Sequence, residues 1–326
     1  MKRILGRSGI EVSAMGMGCW AIGGPFSEGG TPLGWGEVDD DESVRAIHAA
    51  LDRGINFFDT ANVYGAGHSE RVLARALADR RQEVVIATKF NAVFNERSRQ
   101  VTGSDASPEG IRRALDASLR RLETDYIDLY LFHDNGYPVA EAELVRDTLE
   151  SLVKTGRIRS YGWSTDFEDR ATVFAEGPHC TAIELQLNVL DDNPAVIGIC
   201  EMQDLAAVNR GPLAMGLLTN KYTAETRASI DDVRGSKSPE WMKYFRDGRP
   251  NPDWLTRRDA VREMLCSDGR TVAQGAIAWL WARSPKTIPI PGFRTIGQVE
   301  ENTGAMELGP LSVEQVAHID ALLDRP

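Results

Sequence analysis

Residues 107–133 read SPEGIRRALDASLRRLETDYIDLYLFH, a helical pattern followed by a strand pattern. Ser107 suits a helix N-cap, and Pro108 suits the first helical position. Apolar residues then recur at the spacing of one helix face, at Ile111, Leu115, Leu119 and Leu122. The segment Ile127–His133 is mostly apolar, which is typical of a parallel strand buried on both faces.

The same alternation of short apolar runs and helical patterns extends along the whole chain. It predicts eight strands, at Met15–Cys19, Asn56–Asp59, Val84–Thr88, Ile127–His133, Ser160–Ser164, Ala182–Gln186, Ala206–Arg210 and Thr287–Ile290. Eight strand–helix repeats favour a (β/α)8 barrel over an open doubly wound sheet. We therefore expect an α/β protein in which residues 1–326 form a single TIM-barrel domain.

Two segments lie outside this repeat. Residues 2–13 carry glycine and serine between short apolar runs, and they predict a β-hairpin at the bottom of the barrel. Residues 219–255 are polar and punctuated by glycine and proline, yet they contain Trp241 and Trp254, so a long loop is predicted between strands seven and eight. A long aromatic loop suits a lid over a binding site, and it equally suits an inert loop that its aromatic side chains anchor.

Composition excludes several function classes. The chain has 326 residues and a net charge of −11, which argues against binding to nucleic acid or to an anionic membrane surface. Four dispersed cysteines without a Cys-x-x-Cys pair predict a reduced, cytoplasmic protein. Clustered metal-ligand patterns such as His-Glu-x-x-His do not occur, so no metal is expected.

One apparent cofactor motif does not predict its usual fold. Residues 16–21 match the dinucleotide fingerprint G-x-G-x-x-A, which works only when a helix N-terminus follows it. Here glycines and prolines follow as far as Pro32, which is the composition of a loop. The sequence therefore argues against a Rossmann domain.

Polar side chains end the predicted strands. Asp59, Lys89 and His133 lie at the ends of strands two, three and four. The next three strands end in the polar residues Ser164, Gln186 and Arg210. Because the C-terminal ends of barrel strands meet at one mouth, we expect these side chains to converge there.

An acid, an ammonium group and an imidazole at one mouth allow two chemistries. In the first, Lys89 is a Schiff-base nucleophile, as in barrel aldolases. In the second, Lys89 stays charged beside Asp59 and lowers the pKa of Tyr64, five residues beyond Asp59. A phenol is a poor acid at neutral pH, and a neighbouring ammonium group makes it a better one.

Several stretches resemble the signatures of the aldo-keto reductases, most closely those of the bacterial branch. The first spans residues 56–65, Asn-Phe-Phe-Asp-Thr-Ala-Asn-Val-Tyr-Gly, and Ser69-Glu70 follow it. Further matching stretches occur in the family's order at Ile86–Lys89, Asp128–His133, Gly162–Ser164, Pro212–Thr219, Ile290–Gly292 and Glu301–Asn302. The resemblance covers essentially the whole chain.

This resemblance implies NADPH-dependent reduction of aldehyde and ketone carbonyls by direct hydride transfer, without a metal. Tyr64 matches the general acid, and Lys89 matches the residue that depresses the pKa of that acid. Asp59 matches the partner of Lys89, and His133 matches the residue that orients the carbonyl oxygen. An alternative that the resemblance also allows is an NADPH-binding redox sensor or regulatory subunit with slow turnover.

The resemblance also implies which residues hold the nicotinamide and the phosphates. Ser164 and Gln186 match the residues that hold the carboxamide, with Thr165 where the family usually has asparagine. Arg210 lies where many members place an aromatic that stacks on the ring, and a guanidinium plane can stack too. The segment beside the pyrophosphate would contribute Leu213, Gly216 and Lys221, with Asn220 in place of the usual glycine.

The adenosine end of the cofactor would meet the segment after the last strand. The residues that match are Gly292, Arg294, Gln298, Glu301 and Asn302. Arg294 favours NADPH over NADH, because a fork of donors suits a phosphate dianion.

The substrate pocket would be lined by Trp20, Trp35, Tyr64 and His133. Aromatic walls suit apolar or aromatic aldehydes, and sugars stack on tryptophan as well. The two tryptophans equally suit packing within their glycine-rich loop. We expect a small-molecule carbonyl compound as the partner and a monomeric protein.

Overall fold

A computed structural model describes residues 1–325. Eight parallel strands form one sheet in the order of the sequence, at Met17–Gly18, Phe57–Asp59, Val85–Phe90, Ile127–Phe132, Ile158–Ser164, Cys180–Gln186, Ala206–Arg210 and Thr287–Pro289. The amide of Gly16 donates to the Pro289 carbonyl oxygen at 2.9 Å, and that of Gly18 donates to the Pro291 carbonyl oxygen at 3.0 Å. These bonds join the first strand to the eighth, and the predicted (β/α)8 barrel is confirmed.

Helices follow the strands around the outside of the barrel. The described residues contain ten α-helices, α1 to α10 in chain order, at Asp40–Asp52, His68–Leu77, Pro108–Leu122, Ala142–Lys154, Glu168–Ala175, Pro194–Met202, Pro252–Leu265, Val272–Arg283, Ile296–Leu308 and Val313–Leu322. In α3 (Pro108–Leu122) the Ser107 hydroxyl accepts a hydrogen bond from the Gly110 amide at 3.0 Å, which is the predicted cap. The stripe from Ile111 to Leu122 is buried against the barrel.

Several strand boundaries differ from the prediction by one or two residues, and those of the third and first strands bear on the site. The third strand continues through Phe90, so Lys89 lies within the strand rather than after it. The first strand shortens to Met17–Gly18, although the Cys19 amide still donates to the Asp59 carbonyl oxygen at 2.7 Å. Boundaries of this kind depend on hydrogen-bond geometry, which sequence patterns locate only to one or two residues.

The barrel interior explains how the strands position polar groups. Side chains alternate along a strand, so every second residue points inward. Near the N-terminal ends of the strands, the inward residues are apolar and form a closed cluster that includes Phe57, Ala87, Leu131 and Ala182. Two residues further along the same strands, the inward positions hold ionisable side chains: Asp59, Lys89, His133 and Glu184.

The predicted hairpin is present and closes the N-terminal end of the barrel. Strand Lys2–Ile4 pairs antiparallel with Glu11–Ser13. Leu5 and Val12 join the apolar cluster inside the barrel, and both are fully buried. Gly6 has a φ of +52°, and a Cβ there would lie 2.2 Å from the Thr181 carbonyl oxygen. The hairpin therefore approaches the strand ends so closely that this position requires glycine.

The long loop predicted at 219–255 is shorter than expected. Helix α7 already begins at Pro252, because the Asn251 side chain caps it and proline suits its first turn. Before it, Phe245–Arg246 and Arg249–Pro250 form a small antiparallel hairpin. The amide of Val233 donates to the Gly34 carbonyl oxygen at 2.7 Å, so the segment packs on the loop after the first barrel strand.

A second sheet was not predicted. Its four strands lie in the order Thr31–Pro32, Ser27–Glu28, Gln100–Ser104 and Ala92–Asn95. It joins the glycine-rich loop after the first barrel strand to a hairpin after the third, with Ser27 opposite Gln100. Pairing between segments so far apart in the chain leaves no local pattern, and the glycines of the first loop had indicated only a loop.

Candidate active site

A buried ion pair lies at the C-terminal end of the barrel. The Lys89 ammonium group donates to both carboxylate oxygens of Asp59 at 2.6 Å and to the Thr60 carbonyl oxygen at 2.9 Å. Burial alone would lower the pKa of Lys89, but the negative charges of Asp59 and Glu184 outweigh burial and raise that pKa. Lys89 therefore stays charged, which argues against the Schiff-base alternative, because that chemistry needs a neutral amine.

Tyr64 lies beside this pair, in the turn after the second strand. The Lys89 nitrogen is 5.2 Å from the centre of the Tyr64 ring. The positive charge of Lys89 lowers the pKa of Tyr64, as predicted. The net shift of that pKa is nevertheless upward, so the predicted net lowering is wrong. Burial, together with the negative charges of Asp59 and Glu184, raises the pKa of Tyr64 above its ordinary value. The phenol therefore carries its proton at neutral pH.

His133 follows the fourth strand and faces Tyr64. The two rings are perpendicular, with centres 6.1 Å apart. Burial and then the positive charges of Lys89 and Arg210 lower the pKa of His133 to about 3. The imidazole is therefore neutral at physiological pH, with one nitrogen able to donate and the other able to accept a hydrogen bond.

Glu184 belongs to the same layer, and the sequence analysis missed it. One carboxylate oxygen, Oε2, lies 3.2 Å from the Lys89 nitrogen, and the other accepts a hydrogen bond from the Ser164 hydroxyl at 3.1 Å. Only 1% of Glu184 is exposed. Burial, and then the charge of Glu184, raise the pKa of Asp59 well above its usual range. A signal was available: Glu184 interrupts an apolar run and shares its inward direction with Gln186.

The residues expected to hold the nicotinamide form a polar network. Gln186 donates to the Tyr244 hydroxyl at 2.9 Å and accepts from Arg210 at 3.1 Å. Arg210 also pairs with the carboxylate of Asp166. The Thr165 amide donates to the Glu184 carbonyl oxygen at 2.8 Å, so Thr165 is held against the sixth strand. Arg210 therefore lies within this network rather than free in the mouth.

Positive side chains gather beside the segment predicted to meet the phosphates. Partial burial, and then the charges of Arg234 and Arg294, lower the pKa of Lys221 against the opposing effect of Asp232. Arg234, which the sequence analysis did not select, lies 4.4 Å over the Trp35 ring and donates to the Met215 carbonyl oxygen at 3.1 Å. Arg234 is itself paired with Asp232 at 2.6 Å, so Lys221 and Arg294 supply the excess positive charge, which suits a phosphate group.

Leu213 and Gly216 flank these cations on one side. Gly216 ends the short 3-10 turn Ala214–Gly216 after the seventh strand, Leu213 directly precedes that turn, and the Gly216 amide donates to the Leu213 carbonyl oxygen at 2.9 Å. Gly216 has a φ of +90°, and a Cβ there would lie 3.3 Å from the Arg234 guanidinium. The turn therefore presents backbone, rather than a side chain, next to the cations.

The segment after the eighth strand lies on the other side. Gly292 forms a bridge with Gly18, and the Asn302 side chain donates to the Gly292 carbonyl oxygen at 3.4 Å. The Arg294 guanidinium donates to the carbonyl oxygens of Trp35 and Glu37, and its amide donates to Gln298 at 2.7 Å. Glu301 lies on α9 next to Asn302 and is half-buried. The predicted adenosine-end residues therefore occupy the segment after the eighth strand and the first half of α9.

The aromatic residues form a wall next to Tyr64. Trp20 stacks on Tyr64 with ring centres 5.8 Å apart, and Trp35 meets Trp20 edge-on at 5.3 Å. Trp241, from the long segment, lies 6.3 Å from Trp20. The structure therefore brings the predicted substrate residues together with His133, and it adds Trp241, whose position depends on the path of the long segment.

The profile of the Aldo/keto reductase family matches residues 14–324. The chain belongs to this family. Aldo-keto reductase YhdN of Bacillus subtilis (strain 168) is 31% identical over 298 residues, which cover 90% of this chain and 85% of YhdN. Membership in the aldo/keto reductases makes the protein an oxidoreductase.

Two solved structures resemble this aldo/keto reductase along nearly all of its length. The glycerol dehydrogenase AKR11B4 from Gluconobacter oxydans is 32% identical, with a TM-score of 0.81, and covers 99% of this chain and 94% of its own. An aldo/keto reductase from Klebsiella pneumoniae, in complex with NADP and acetate, is 25% identical, with a TM-score of 0.71. The match covers 100% of this chain and 96% of the Klebsiella chain.

Residues 1–325 of this aldo/keto reductase contain neither a group suited to a metal ion nor a membrane-spanning helix. Its His, Cys, Asp and Glu side chains form no group that could hold a metal ion. Its helices include none that is long and apolar enough to cross a membrane.

Proposed function

We propose that the protein reduces aldehyde and ketone carbonyls to alcohols with NADPH, with Tyr64 as the general acid. The observation that carries this proposal is the joint position of Tyr64, Lys89, Asp59 and His133 in one layer at the barrel mouth. The relative from Klebsiella pneumoniae, crystallised with NADP, supports the choice of cofactor.

The residues present fit a nicotinamide dinucleotide phosphate. Ser164, Thr165, Gln186 and Arg210 are proposed to lie at the nicotinamide. Glu184 Oε2 is a buried acceptor without a hydrogen bond, and it suits an amide donor such as the carboxamide. At the other end, Lys221, Arg234 and Arg294 suit the phosphates, and Arg294 is the basis for proposing NADPH over NADH. When bound, NADPH supplies the hydride.

The side chains of the site then supply the proton and stabilise its transfer. Tyr64 donates its phenolic proton to the carbonyl oxygen, which gains electron density as the carbonyl is reduced. Lys89, held by Asp59, stabilises the phenolate that remains. Neutral His133 donates a hydrogen bond to the same oxygen and orients it. The raised pKa of Tyr64 keeps the proton in place until this step.

The aromatic wall supports a substrate with a flat apolar face or a stacking sugar ring. Trp20 and Trp35 are proposed to contact it, and Trp241 extends the wall from the long segment. Because that segment also packs on the loop that carries Trp35, we propose that residues 219–251 act as a lid.

The test follows the near-ultraviolet absorbance of NADPH, with NADH in parallel, after addition of an aromatic aldehyde. We expect aldehyde-dependent oxidation that is faster with NADPH. Faster oxidation of NADH would retain the chemistry and remove the proposed role of Arg294. Tight binding of NADPH without oxidation across many aldehydes would contradict a reductase and favour a regulatory, cofactor-sensing protein.

A further inference from the structure

Two carboxylates, rather than one, surround the Lys89 ammonium group. Asp59 lies 2.6 Å from it, on the neighbouring second strand, and Glu184 lies 3.2 Å from it, on the sixth strand. The Lys89 side chain is 0% exposed, and those of Asp59 and Glu184 are 4% and 1% exposed. One ammonium group balances one carboxylate, so Glu184 adds a second negative charge to a closed space.

The surroundings leave this charge without a cation of its own. His133 is neutral, because its pKa is lowered to about 3. Arg210, whose charge reaches His133, is already paired with Asp166 and bonded to Gln186. The remaining titratable neighbours, Tyr64 and Cys19, have raised pKa values and carry no charge at neutral pH. A buried net charge is costly, so the layer favours a proton or a positively charged ligand.

Glu184 also keeps an unused acceptor. The contacts of Lys89 go to the two Asp59 oxygens and to the Thr60 carbonyl oxygen, and Glu184 Oε1 takes the hydroxyl of Ser164. Glu184 Oε2 therefore contacts Lys89 electrostatically but accepts no hydrogen bond. A buried carboxylate oxygen with free lone pairs therefore lies beside Lys89, and the other oxygen of the same carboxylate contacts Ser164, a residue proposed to lie at the nicotinamide.

We infer that Glu184 makes this layer select the oxidised cofactor, whose nicotinamide ring carries a positive charge, over the reduced cofactor, whose ring is neutral. The inference rests on the proposed function. A charge a few ångströms away in a low-dielectric site acts strongly on a cationic ring and weakly on a neutral one. Glu184 is thus a positioning residue that sets the charge of the site, and Tyr64 remains the group that donates the proton.

The test compares dissociation constants for NADP+ and NADPH, measured by calorimetry without substrate, in the wild type, E184Q and E184D. In E184Q we expect the preference for NADP+ over NADPH to fall by about tenfold, since a difference of that size corresponds to about 1.4 kcal/mol. E184D keeps the charge and should retain most of the preference. An unchanged ratio in E184Q, or equal losses in E184Q and E184D, would overturn the inference.

The wild type alone provides a second measurement, which also decides the case if E184Q does not fold. As the pH falls, Asp59, whose pKa is raised by burial and then by the charge of Glu184, takes up a proton, and the layer loses its extra negative charge. NADP+ should therefore bind more weakly relative to NADPH at lower pH. The 2′-phosphate is common to both cofactors, so its titration cancels in the ratio. A ratio that stays constant with pH contradicts the inference.

The two levels of proposal fail differently. If the protein binds neither cofactor, the proposed function fails, and this inference fails with it. Both cofactors could bind and carbonyl compounds could be reduced, while the ratio of the NADP+ and NADPH dissociation constants changes neither with pH nor in E184Q. In that case only the role of Glu184 is wrong.

Discussion

At both ends of the barrel interior every second residue of a strand points inward, but the inward residues are apolar at one end and ionisable at the other. At the N-terminal end the inward residues are apolar, and Leu5 and Val12 of the hairpin complete a fully buried cluster. At the C-terminal end, two residues further along the strands, the inward residues Asp59, Lys89 and Glu184 are almost equally buried. Burial of the first set stabilises the fold, whereas burial of the second costs free energy that ion pairing only offsets.

Stability and the proposed chemistry are therefore carried by separate layers of the same strands. The apolar layer supplies the rigidity that holds the Asp59 and Glu184 carboxylates 2.6 Å and 3.2 Å from the Lys89 ammonium group. The charged layer lies beside Tyr64, the proposed proton donor, and is proposed to control that donor electrostatically. Variants at the two ends should therefore change different measurements, and four predictions test this separation.

The largest effect is expected for Tyr64→Phe, which removes the proposed proton donor without changing the buried charges. Carbonyl reduction should fall by about 10²–10⁴-fold, the usual contribution of general acid catalysis, and NADPH affinity should stay within about twofold. Steady-state kinetics and calorimetry measure the two quantities. Tyr126→Phe, at a phenol that bonds Gln82 far from the mouth, is the matched control. Near-wild-type turnover in Tyr64→Phe would remove Tyr64 from the mechanism.

Leu5→Ala at the hairpin should lower stability and leave turnover nearly unchanged, the reverse of what is expected for Tyr64→Phe. Removing a fully buried leucine should lower the free energy of unfolding by about 2–5 kcal/mol. Turnover of the folded protein should change little, because the cavity lies at the far end of the barrel. Denaturant unfolding and kcat are the measurements. Ile4→Ala, one residue earlier and 51% exposed, is the control and should change stability far less. Equal losses in both variants would show that the hairpin is not part of the core.

A smaller effect is expected from the titration of His133. Its folded-state pKa of about 3 lies below the unfolded value near 6.5, so the unfolded chain binds the proton first as the pH falls. This contribution to stability is complete above about pH 6.5 and is lost as the pH falls toward 3, with about 1–2 kcal/mol lost near pH 5. Unfolding of the wild type and His133→Asn across this range measures it. If the two proteins lose stability in parallel, the imidazole is not held neutral.

The smallest effect is expected for Arg294→Ala, because one arginine beside Lys221 and Arg234 is being removed from a shared positive cluster. The preference for NADPH over NADH should fall by about tenfold, mainly through weaker NADPH binding. Dissociation constants for both cofactors are the measurement. Arg53→Ala, at an exposed arginine that pairs with Glu300 on α9, is the control. Equal weakening of both cofactors would mean that Arg294 does not contact the 2′-phosphate.

Much of the fold and the central site could be predicted from the chain alone. Strand–helix alternation predicted the barrel, and polar residues ending apolar runs predicted that Asp59, Lys89 and His133 converge. Both signals are local, because burial on two faces requires apolar runs and an ionisable residue stands out against them.

Other features could not be predicted because they depend on contacts between distant segments. The pairing of Ser27 with Gln100 joins two loops whose composition indicates no strand. Arg234 joins the cations beside Lys221 only because the long segment places it over Trp35. The net rise in the pKa of Tyr64 depends on its depth and on two carboxylates together, so a sequence argument that weighed Lys89 alone gave the wrong sign.

Which residues point into the barrel, and which of those are ionisable, follows from the amino-acid sequence, because side-chain direction has a two-residue period along each strand. The meeting of Glu184 of the sixth strand and Asp59 of the second on one ammonium group depends on the three-dimensional fold. Closing the sheet brings strands that are not neighbours within reach of each other across the interior. The charge of the site is therefore a property of barrel closure rather than of any one motif.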